Sequence, residues 1–276
     1  MRAAIVGLGL MGGSLALALG RARPALELVG RDADPAVQRR AIERRLVQEG
    51  DPATADIVFL AAPIPALPDL FIEFADHRGI VTDLASTKGT VMRWAAAAGL
   101  DLVGGHPMCG RERSGLDAAD PTIFGGAPWL LTREEPALVD LVRAVGAVPV
   151  TVDPEQHDRL VAGVSHAAFA LSAAYVLALA GGGEWDRMAQ LAGPGYRDMS
   201  RLAGGDPELH GAIASTNRDA MAGALRAVEA SVARIRRHLE DGDPRLVELL
   251  EEARRVRDEW ERGRREAAGD GDAGDH

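Results

Sequence analysis

The sequence has very little cysteine: its 276 residues include one, Cys109. A single cysteine cannot form an intrachain disulfide, so a small secreted fold held together by disulfides is excluded. We expect a cytoplasmic protein, where thiols stay reduced. Apolar residues make up 47% of the chain and charged residues 26%, which is typical of a globular protein with a substantial core.

The sequence also has fewer basic than acidic residues. Acidic residues outnumber basic ones by 41 to 31, for a formal net charge of -10. This balance argues against the phosphate backbone of a nucleic acid as the main partner. A local basic pocket within an acidic surface can still bind an anionic small molecule.

Apolar runs that would span a membrane are not expected. Glycines interrupt the first apolar run, residues 1–13. The segment 160–180 is apolar on nearly every side, but it contains an interior serine and histidine and stands alone. We interpret it as a helix buried in a bundle or in a dimer core, and expect a homodimer with no membrane partner.

The first half of the chain alternates short apolar runs with helical segments. The apolar runs lie at residues 3–9, 25–32, 55–63, 79–87, 101–107 and 127–132. This alternation predicts an α/β fold with a Rossmann-type, doubly wound, mostly parallel sheet over residues 1–152. The rest predicts an all-α substrate and dimerisation domain over residues 153–265 and a disordered tail over 266–276.

A glycine fingerprint lies at the first predicted turn from strand to helix. Its spacing is G-x-G-x-x-G, which is typical of turns that place a pyrophosphate on a helix N-terminus. An acidic residue, Asp32, ends the next strand, where it can bind the adenosine ribose and disfavour a 2'-phosphate. We therefore predict NAD as cofactor, although Asp32 could simply begin a turn and Arg31 could accept a phosphate. The predicted cofactor-binding residues are Gly7, Gly9, Leu10, Met11, Gly12, Asp32, Ala62, Pro63 and Ser86.

Two polar loops follow predicted strands of the same sheet. His106 comes just after the apolar run D-L-V-G-G, and Ser86 lies in D-L-A-S-T-K-G after another run. Ligands of open parallel sheets bind beyond the carboxyl ends of the strands, so the two side chains are expected at one cleft. Histidine can take a proton from a hydroxyl whose carbon loses hydride. We expect Lys88, in the same loop, to be solvated.

These motifs make the chain resemble the prephenate and arogenate dehydrogenase family of tyrosine biosynthesis. The resemblance rests on G-L-G-L-M-G-G-S at 7–14, D-L-A-S-T-K at 83–88, G-G-H-P-M-C-G-R-E-R-S-G at 104–115, V-S-H at 164–166 and G-Y-R-D-M-S-R-L-A at 195–203. They occur in the expected order through about 200 residues.

The resemblance implies oxidative decarboxylation of a cyclohexadienol, either prephenate or arogenate, with hydride transfer to NAD. It implies that His106 accepts the hydroxyl hydrogen bond, that Ser86 orients the hydroxyl and the nicotinamide, and that Arg197 holds a substrate carboxylate. Further substrate-binding candidates are His166, Glu112 and Arg113. No metal site is predicted.

Several of these assignments have structural alternatives. Arg197 could form a surface ion pair with Asp198, His166 could be a satisfied core histidine, and Glu112 and Arg113 could form an exposed salt bridge. The chain departs from its relatives at Phe169, where a histidine is common, and at His210, where tryptophan is frequent. The basis of side-chain recognition and any feedback by tyrosine therefore stay open.

Two other functions are weighed against this one. β-Hydroxyacid dehydrogenases share the glycine start, but they would be expected to use a lysine in the second domain, and none occurs from Glu155 to His276. A non-catalytic NAD-binding sensor dimer would explain the fingerprint, but it gives no reason for His106, Ser86 and Arg197 to occur together.

Overall fold

The computed structural model describes residues 1–110 and 114–267. The chain divides into two compact units, Met1–Ala222 and Gly223–His276. The predicted domain boundary at residue 152 lies inside the first unit, between the last strand and a long run of helices.

A five-stranded parallel sheet forms the centre of the first unit. Its strands are β1 (Arg2–Val6), β2 (Glu27–Arg31), β3 (Ile57–Leu60), β4 (Ile80–Asp83) and β5 (Leu102–Val103), in the spatial order β2-β1-β3-β4-β5. The register pairs Val6 with both Arg31 and Leu60, and Leu60 with Asp83. The carboxyl ends of these strands therefore lie along one edge, followed by the glycine turn and the Ser86 loop.

Helices cover both faces of this sheet, as the continuous apolar character of the strands requires. They are α1 (Leu10–Ala22), α2 (Pro35–Glu43), α3 (Leu67–Glu73) and α4 (Gly89–Ala97). Ile5 and Phe59 belong to one buried cluster, whereas Val58 and Leu60 belong to the other. The alternation of side chains along each strand accounts for the two cores.

The last apolar runs of the first half form a separate sheet instead of continuing the first. Strands β6 (Gly105–Pro107), β7 (Pro128–Leu131) and β8 (Val148–Thr151) make a three-stranded sheet in which β6 is antiparallel to β7, and α5 (Pro136–Ala144) connects β7 to β8. The chain leaves the first sheet at Gly104, whose N–H donates to Thr132 Oγ1 at 2.9 Å and whose carbonyl accepts from Thr132 N at 2.9 Å.

The second half of the described chain is helical. Helices α6 (Pro154–Val161) and α7 (Ala167–Ala180) join through a π-helical turn at Ala162–His166. Among the described residues, the helix Pro154–Ala180 is the one long and apolar enough to cross a membrane by length and composition. Its exposed apolar residues include Leu160, Val164 and Leu177.

The remaining helices are α8 (Trp185–Leu191), α9 (Pro194–Ser200), α10 (Pro207–Thr216), α11 (Arg218–Glu240) and α12 (Arg245–Ala267). Within the second unit, α12 carries ion pairs one turn apart, including Arg257–Glu261 at 2.6 Å. Residues 266 and 267 of the predicted disordered tail belong to α12, and the other residues of that tail lie outside the described residues.

Candidate functional site

The glycine fingerprint forms the turn between β1 and α1. Gly7 has φ of +95°, and a Cβ there would lie 2.6 Å from the carbonyl oxygen of Ala61. A Cβ on Gly12 would lie 1.8 Å from the oxygen of Gly7, whereas one on Gly9 would meet nothing within 4 Å. The absence of a side chain at Gly7 and Gly12 thus permits close packing of the backbone, whereas at Gly9 it leaves open space for a ligand. The N–H groups of the first turn, at Leu10 and Met11, have no acceptor within their helix, as required for binding a diphosphate.

Asp32 closes this turn from the end of β2. Its Oδ2 accepts from the backbone N–H of Leu8 at 2.6 Å and its Oδ1 accepts from that of Asp34 at 2.8 Å. Its neighbour Arg31 makes two hydrogen bonds to the carboxylate of Glu73, at 2.5 and 2.8 Å. Ala62 and Pro63 follow β3 beside Gly7 and are partly exposed and exposed, respectively. These residues fit the adenosine and diphosphate parts of a dinucleotide.

A buried ion pair holds the Ser86 loop against the strand of His106. The Lys88 ammonium donates to Asp83 Oδ2, and both side chains are at most 1% exposed. Asp83 also accepts from the N–H of Ala85 and from that of Gly105, each at 3.0 Å. Burial lowers the pKa of Lys88, and the two carboxylates of Asp83 and Asp158 oppose this shift. The expectation that Lys88 is solvated is therefore wrong.

The two glycines before His106 are required by this packing. A Cβ on Gly104 would lie within 2.9 Å of side-chain atoms of Thr132, Met92 and Lys88, and one on Gly105 would lie 2.5 Å from the carbonyl oxygen of Asp83. A side chain at Gly105 would push β6 away from the backbone of β4, and one at Gly104 would require the neighbouring side chains to shift.

His106 lies in β6 and is 7% exposed. Its Nδ1 is 2.9 Å from Nε2 of His157, and Nδ1 of His157 is 2.8 Å from Oδ1 of Asp158. Burial lowers the pKa of His106 well below the ordinary value, and the neighbouring His157, Lys88 and His166 add to the shift because they disfavour a further positive charge. The imidazole of His106 is therefore neutral at physiological pH and can accept a proton.

Asp158 connects this pair of histidines to the start of α4. Its carboxylate accepts from the N–H of Lys88 at 2.7 Å and from that of Gly89 at 2.8 Å. Burial disfavours the charged form of Asp158, but hydrogen bonds from His157 and these two amides outweigh it and lower the pKa. The carboxylate is thus ionised.

His166 ends the π-helical turn and is 2% exposed. Its Nδ1 is 3.2 Å from Nδ2 of Asn217, which also donates to the carbonyl of Asp158 at 2.8 Å. Burial lowers the pKa of His166 to about 4, against opposing interactions with Asp158 and the backbone of Ser86. Since an amide nitrogen can only donate, Nδ1 accepts and the proton of the neutral ring is on Nε2. That atom is buried and meets no acceptor in full hydrogen-bond geometry among the described residues, although the backbone of Ser86 interacts with the ring.

The structure brings some of the predicted residues together and leaves others apart. Ser86 is the one residue of 81–89 that is not buried. Its backbone interacts with the His166 ring and opposes the lowering of the pKa of His166. Arg197 lies exposed in the last turn of α9, and its guanidinium makes no hydrogen bond or ion pair with a described residue, so the pair with Asp198 does not form. Glu112 and Arg113 lie outside the described residues.

The two departures from the family pattern contact each other. The rings of Phe169 and His210 stack with centroids 3.3 Å apart and planes 9° apart. Cys109 is partly buried, and burial raises the pKa of its thiol to about 11, so it is a poor nucleophile at neutral pH. Among residues 1–110 and 114–267, no three or more His, Cys, Asp or Glu side chains are grouped to hold a metal ion.

Sequence reasoning missed three members of the site: His157, Asp158 and Asn217. The adjacent histidine and aspartate of E-Q-H-D, in the first helix after the last strand, were the available signal. Their partner lies 51 residues earlier in the chain, and only the packing of α6 against α4 brings them to it.

The structure has a parallel sheet with a glycine turn, a carboxylate at the end of its second strand and a histidine site at the same edge. These features define a Rossmann-type nucleotide-binding protein. Residues 15–148 match the nucleotide-binding domain of prephenate dehydrogenase, and residues 153–252 match its dimerization domain. The chain belongs to the prephenate dehydrogenase family, and the predicted family and fold class are confirmed.

Individual relatives agree with this assignment. The crystal structure of Synechocystis arogenate dehydrogenase is 32% identical, with a TM-score of 0.80 over 94% of this chain and 100% of that one. Lactococcus lactis prephenate dehydrogenase is 28% identical over 93% of this chain and 77% of its own length. Prephenate dehydrogenase from A. aeolicus, solved with hydroxyphenyl propionate and NAD+, has the same fold, with a TM-score of 0.82 at 24% identity over 94% of this chain and 98% of that one.

The buried pair predicts a large loss of stability in Asp83→Asn. The substitution leaves the Lys88 ammonium buried without its hydrogen-bonded carboxylate, with only Asp158 as a more distant counter-charge, so we expect the free energy of unfolding in urea to fall by about 3–5 kcal/mol. Asp101→Asn is the matched control, since it removes an ion pair with Arg133 whose aspartate is 86% exposed, worth about 0–1 kcal/mol. Equal losses in the two variants would show that the Asp83–Lys88 pair does not stabilise the fold.

Proposed function

We propose that this protein oxidises prephenate with NAD, giving 4-hydroxyphenylpyruvate, carbon dioxide and reduced cofactor. Arogenate, which has an amino group in place of the side-chain keto group, is the closest alternative substrate. The observation that carries the proposal is the buried His106 at the carboxyl edge of the sheet, beside the Ser86 loop, where burial lowers its pKa and favours the neutral ring. Membership of the family, with both prephenate and arogenate dehydrogenases among its relatives, supports the same chemistry.

NAD is proposed over NADP because of the residues at the end of β2. The carboxylate of Asp32 is held by Leu8 and Asp34 where an adenosine ribose would lie, and it would repel a 2'-phosphate. Arg31 makes two hydrogen bonds to Glu73, so binding of a 2'-phosphate by Arg31 would have to displace that carboxylate. When bound, the nicotinamide ring accepts the hydride from the substrate's hydroxyl-bearing carbon.

The side chains of the site would handle the proton and the orientation of the substrate. His106 accepts the hydroxyl proton and returns it to the same oxygen once loss of carbon dioxide makes the ring aromatic. Ser86 positions the hydroxyl, and the Nε2–H of His166 offers a donor to a substrate oxygen. The unpaired guanidinium of Arg197 provides two parallel donors for a carboxylate.

We also propose that the protein functions as a homodimer. The match of residues 153–252 to a dimerization domain supports this assembly. The exposed apolar residues Leu160, Val164 and Leu177 of the long helix support it further, because a second copy would remove them from water.

The substrate and cofactor are tested by a grid of initial rates. Prephenate and arogenate are each combined with NAD and NADP, and formation of reduced nicotinamide is followed by absorbance. We expect turnover with NAD and prephenate to have the highest kcat/KM. A higher kcat/KM with arogenate would reassign the substrate, and no turnover in any combination would favour a non-catalytic sensor.

The role of His106 is tested by His106→Asn, which retains polarity but removes the base. We expect kcat to fall by about 10²- to 10⁴-fold, the usual contribution of a general base, while KM stays nearly unchanged. Initial rates over a range of substrate concentrations separate the two constants. A kcat near that of the wild type would remove His106 from the chemistry.

The role of Arg197 is tested by Arg197→Ala. Because a contact with the substrate carboxylate is present before the transition state, KM should rise by about 10- to 100-fold, with a smaller effect on kcat. Arg187→Ala is the control, since Arg187 is an exposed arginine of the neighbouring helix α8 whose partner is Glu184. Equal KM values for the two variants would exclude Arg197 from substrate binding.

A further inference from the structure

A chain of three side chains extends from His106 into the protein interior. The links are His106 Nδ1 to His157 Nε2 at 2.9 Å and His157 Nδ1 to Asp158 Oδ1 at 2.8 Å. His157 is fully buried, and its ring meets that of His106 edge to face with centroids 5.1 Å apart. Both ring nitrogens of His157 are therefore committed inside the protein, and His157 cannot touch a substrate at the cleft.

The direction of these hydrogen bonds follows from Asp158. Its two carboxylate oxygens already accept from the amides of Lys88 and Gly89 and from His157, so the group is ionised and acts only as an acceptor. His157 must then carry a proton on Nδ1. With that proton in place, Nε2 of a neutral His157 accepts, and His106 must donate to it from its own Nδ1.

This arrangement leaves the lone pair of His106 on Nε2, the ring nitrogen that does not face His157. The opposite tautomer of His106, with the proton on Nε2, would place two lone pairs against each other at the contact with His157. A base that must take a hydroxyl proton needs the first tautomer. Asp158 thus specifies, across two rings, the protonation state that the reaction requires.

We propose that His157 and Asp158 are positioning residues that form a proton relay behind His106. The proposal rests on the proposed function of His106 as the base. As the substrate O–H bond breaks, an N–H bond forms at Nε2 of His106; its Nδ1 proton passes to Nε2 of His157, whose imidazolium then pairs with Asp158. The steps reverse when the aromatic product's oxygen takes the proton back, while the hydride remains on the nicotinamide.

The charges around the relay favour moving the proton inward. His106 faces His157, the Lys88 ammonium and His166, and each of them disfavours positive charge on its ring. Asp83 balances Lys88 directly through their buried ion pair. The carboxylate of Asp158 lies directly behind His157, 2.8 Å from its Nδ1, where it can pair with a proton received at that ring.

The first test does not depend on activity. Nitrogen NMR of protein labelled with ¹⁵N-histidine distinguishes protonated from unprotonated ring nitrogens, and the His106 signals are assigned by their loss in His106→Asn. We expect His106 to be neutral with its proton on Nδ1 at neutral pH. A proton on Nε2 of His106 would overturn the relay, whether or not the enzyme turns over prephenate.

The second test separates positioning from proton transfer. His157→Gln can still accept the Nδ1–H of His106 through its amide oxygen but cannot hold a proton, whereas His157→Leu does neither. We expect kcat to fall at least 10-fold in His157→Gln and further in His157→Leu, with KM nearly unchanged in both. The dependence of kcat on the deuterium fraction of the solvent should be curved in the wild type and linear in His157→Gln, because fewer protons move.

His77→Gln is the matched control for these substitutions. His77 lies after α3, outside the site, and its buried Nε2 has no partner among the described residues. We expect its kcat, its KM and the pH dependence of kcat to match the wild type. If His157→Gln shows the kcat and the curved solvent dependence of the wild type, the proton-receiving role of His157 is wrong. Absence of turnover in the wild type would instead overturn the proposed function, and the NMR test would still decide the tautomer.

Discussion

The candidate site depends on the carboxylate of Asp83. From the end of β4, this buried group accepts from Ala85 in the Ser86 loop, from Gly105 at the start of β6 and from the ammonium of Lys88. It therefore joins the parallel sheet to the separate three-stranded sheet that carries His106. A buried charge is tolerated only when it is paired and fully hydrogen-bonded, so the three donors and the carboxylate require one another.

Asp158 plays the corresponding part for the helical segment that follows the sheets. Its carboxylate accepts from the first amides of α4 and from His157, and its carbonyl accepts from Asn217, which also holds His166. The loop after β4 thus donates hydrogen bonds to both carboxylates, that of Asp83 and that of Asp158. The same packing orients His166, because the π-helical turn places this residue near the backbone of Ser86.

Much of the fold was predictable because its signals are local. The alternation of apolar runs and helices, the glycine turn and Asp32 each follow from residues close together in the chain, and the structure has a parallel sheet with Asp32 hydrogen-bonded to Leu8. The switch to a second sheet at Gly104 was not predictable, since it depends on a pairing with Thr132, 28 residues away. Lys88 was misjudged for the same reason: its partner is near in sequence, but its burial comes from distant elements.

The sequence by itself determined the class of fold and the nucleotide fingerprint, and it predicted a site at His106 and Ser86, because glycine geometry and strand ends are encoded over a few residues. Only the tertiary structure decided which side chains surround His106. Its partner His157, the ionised Asp158 behind it and the donor Nε2–H of His166 come from helices far along the chain. Hydrogen-bond direction in a buried network is a property of all its members together, and no single segment contains them.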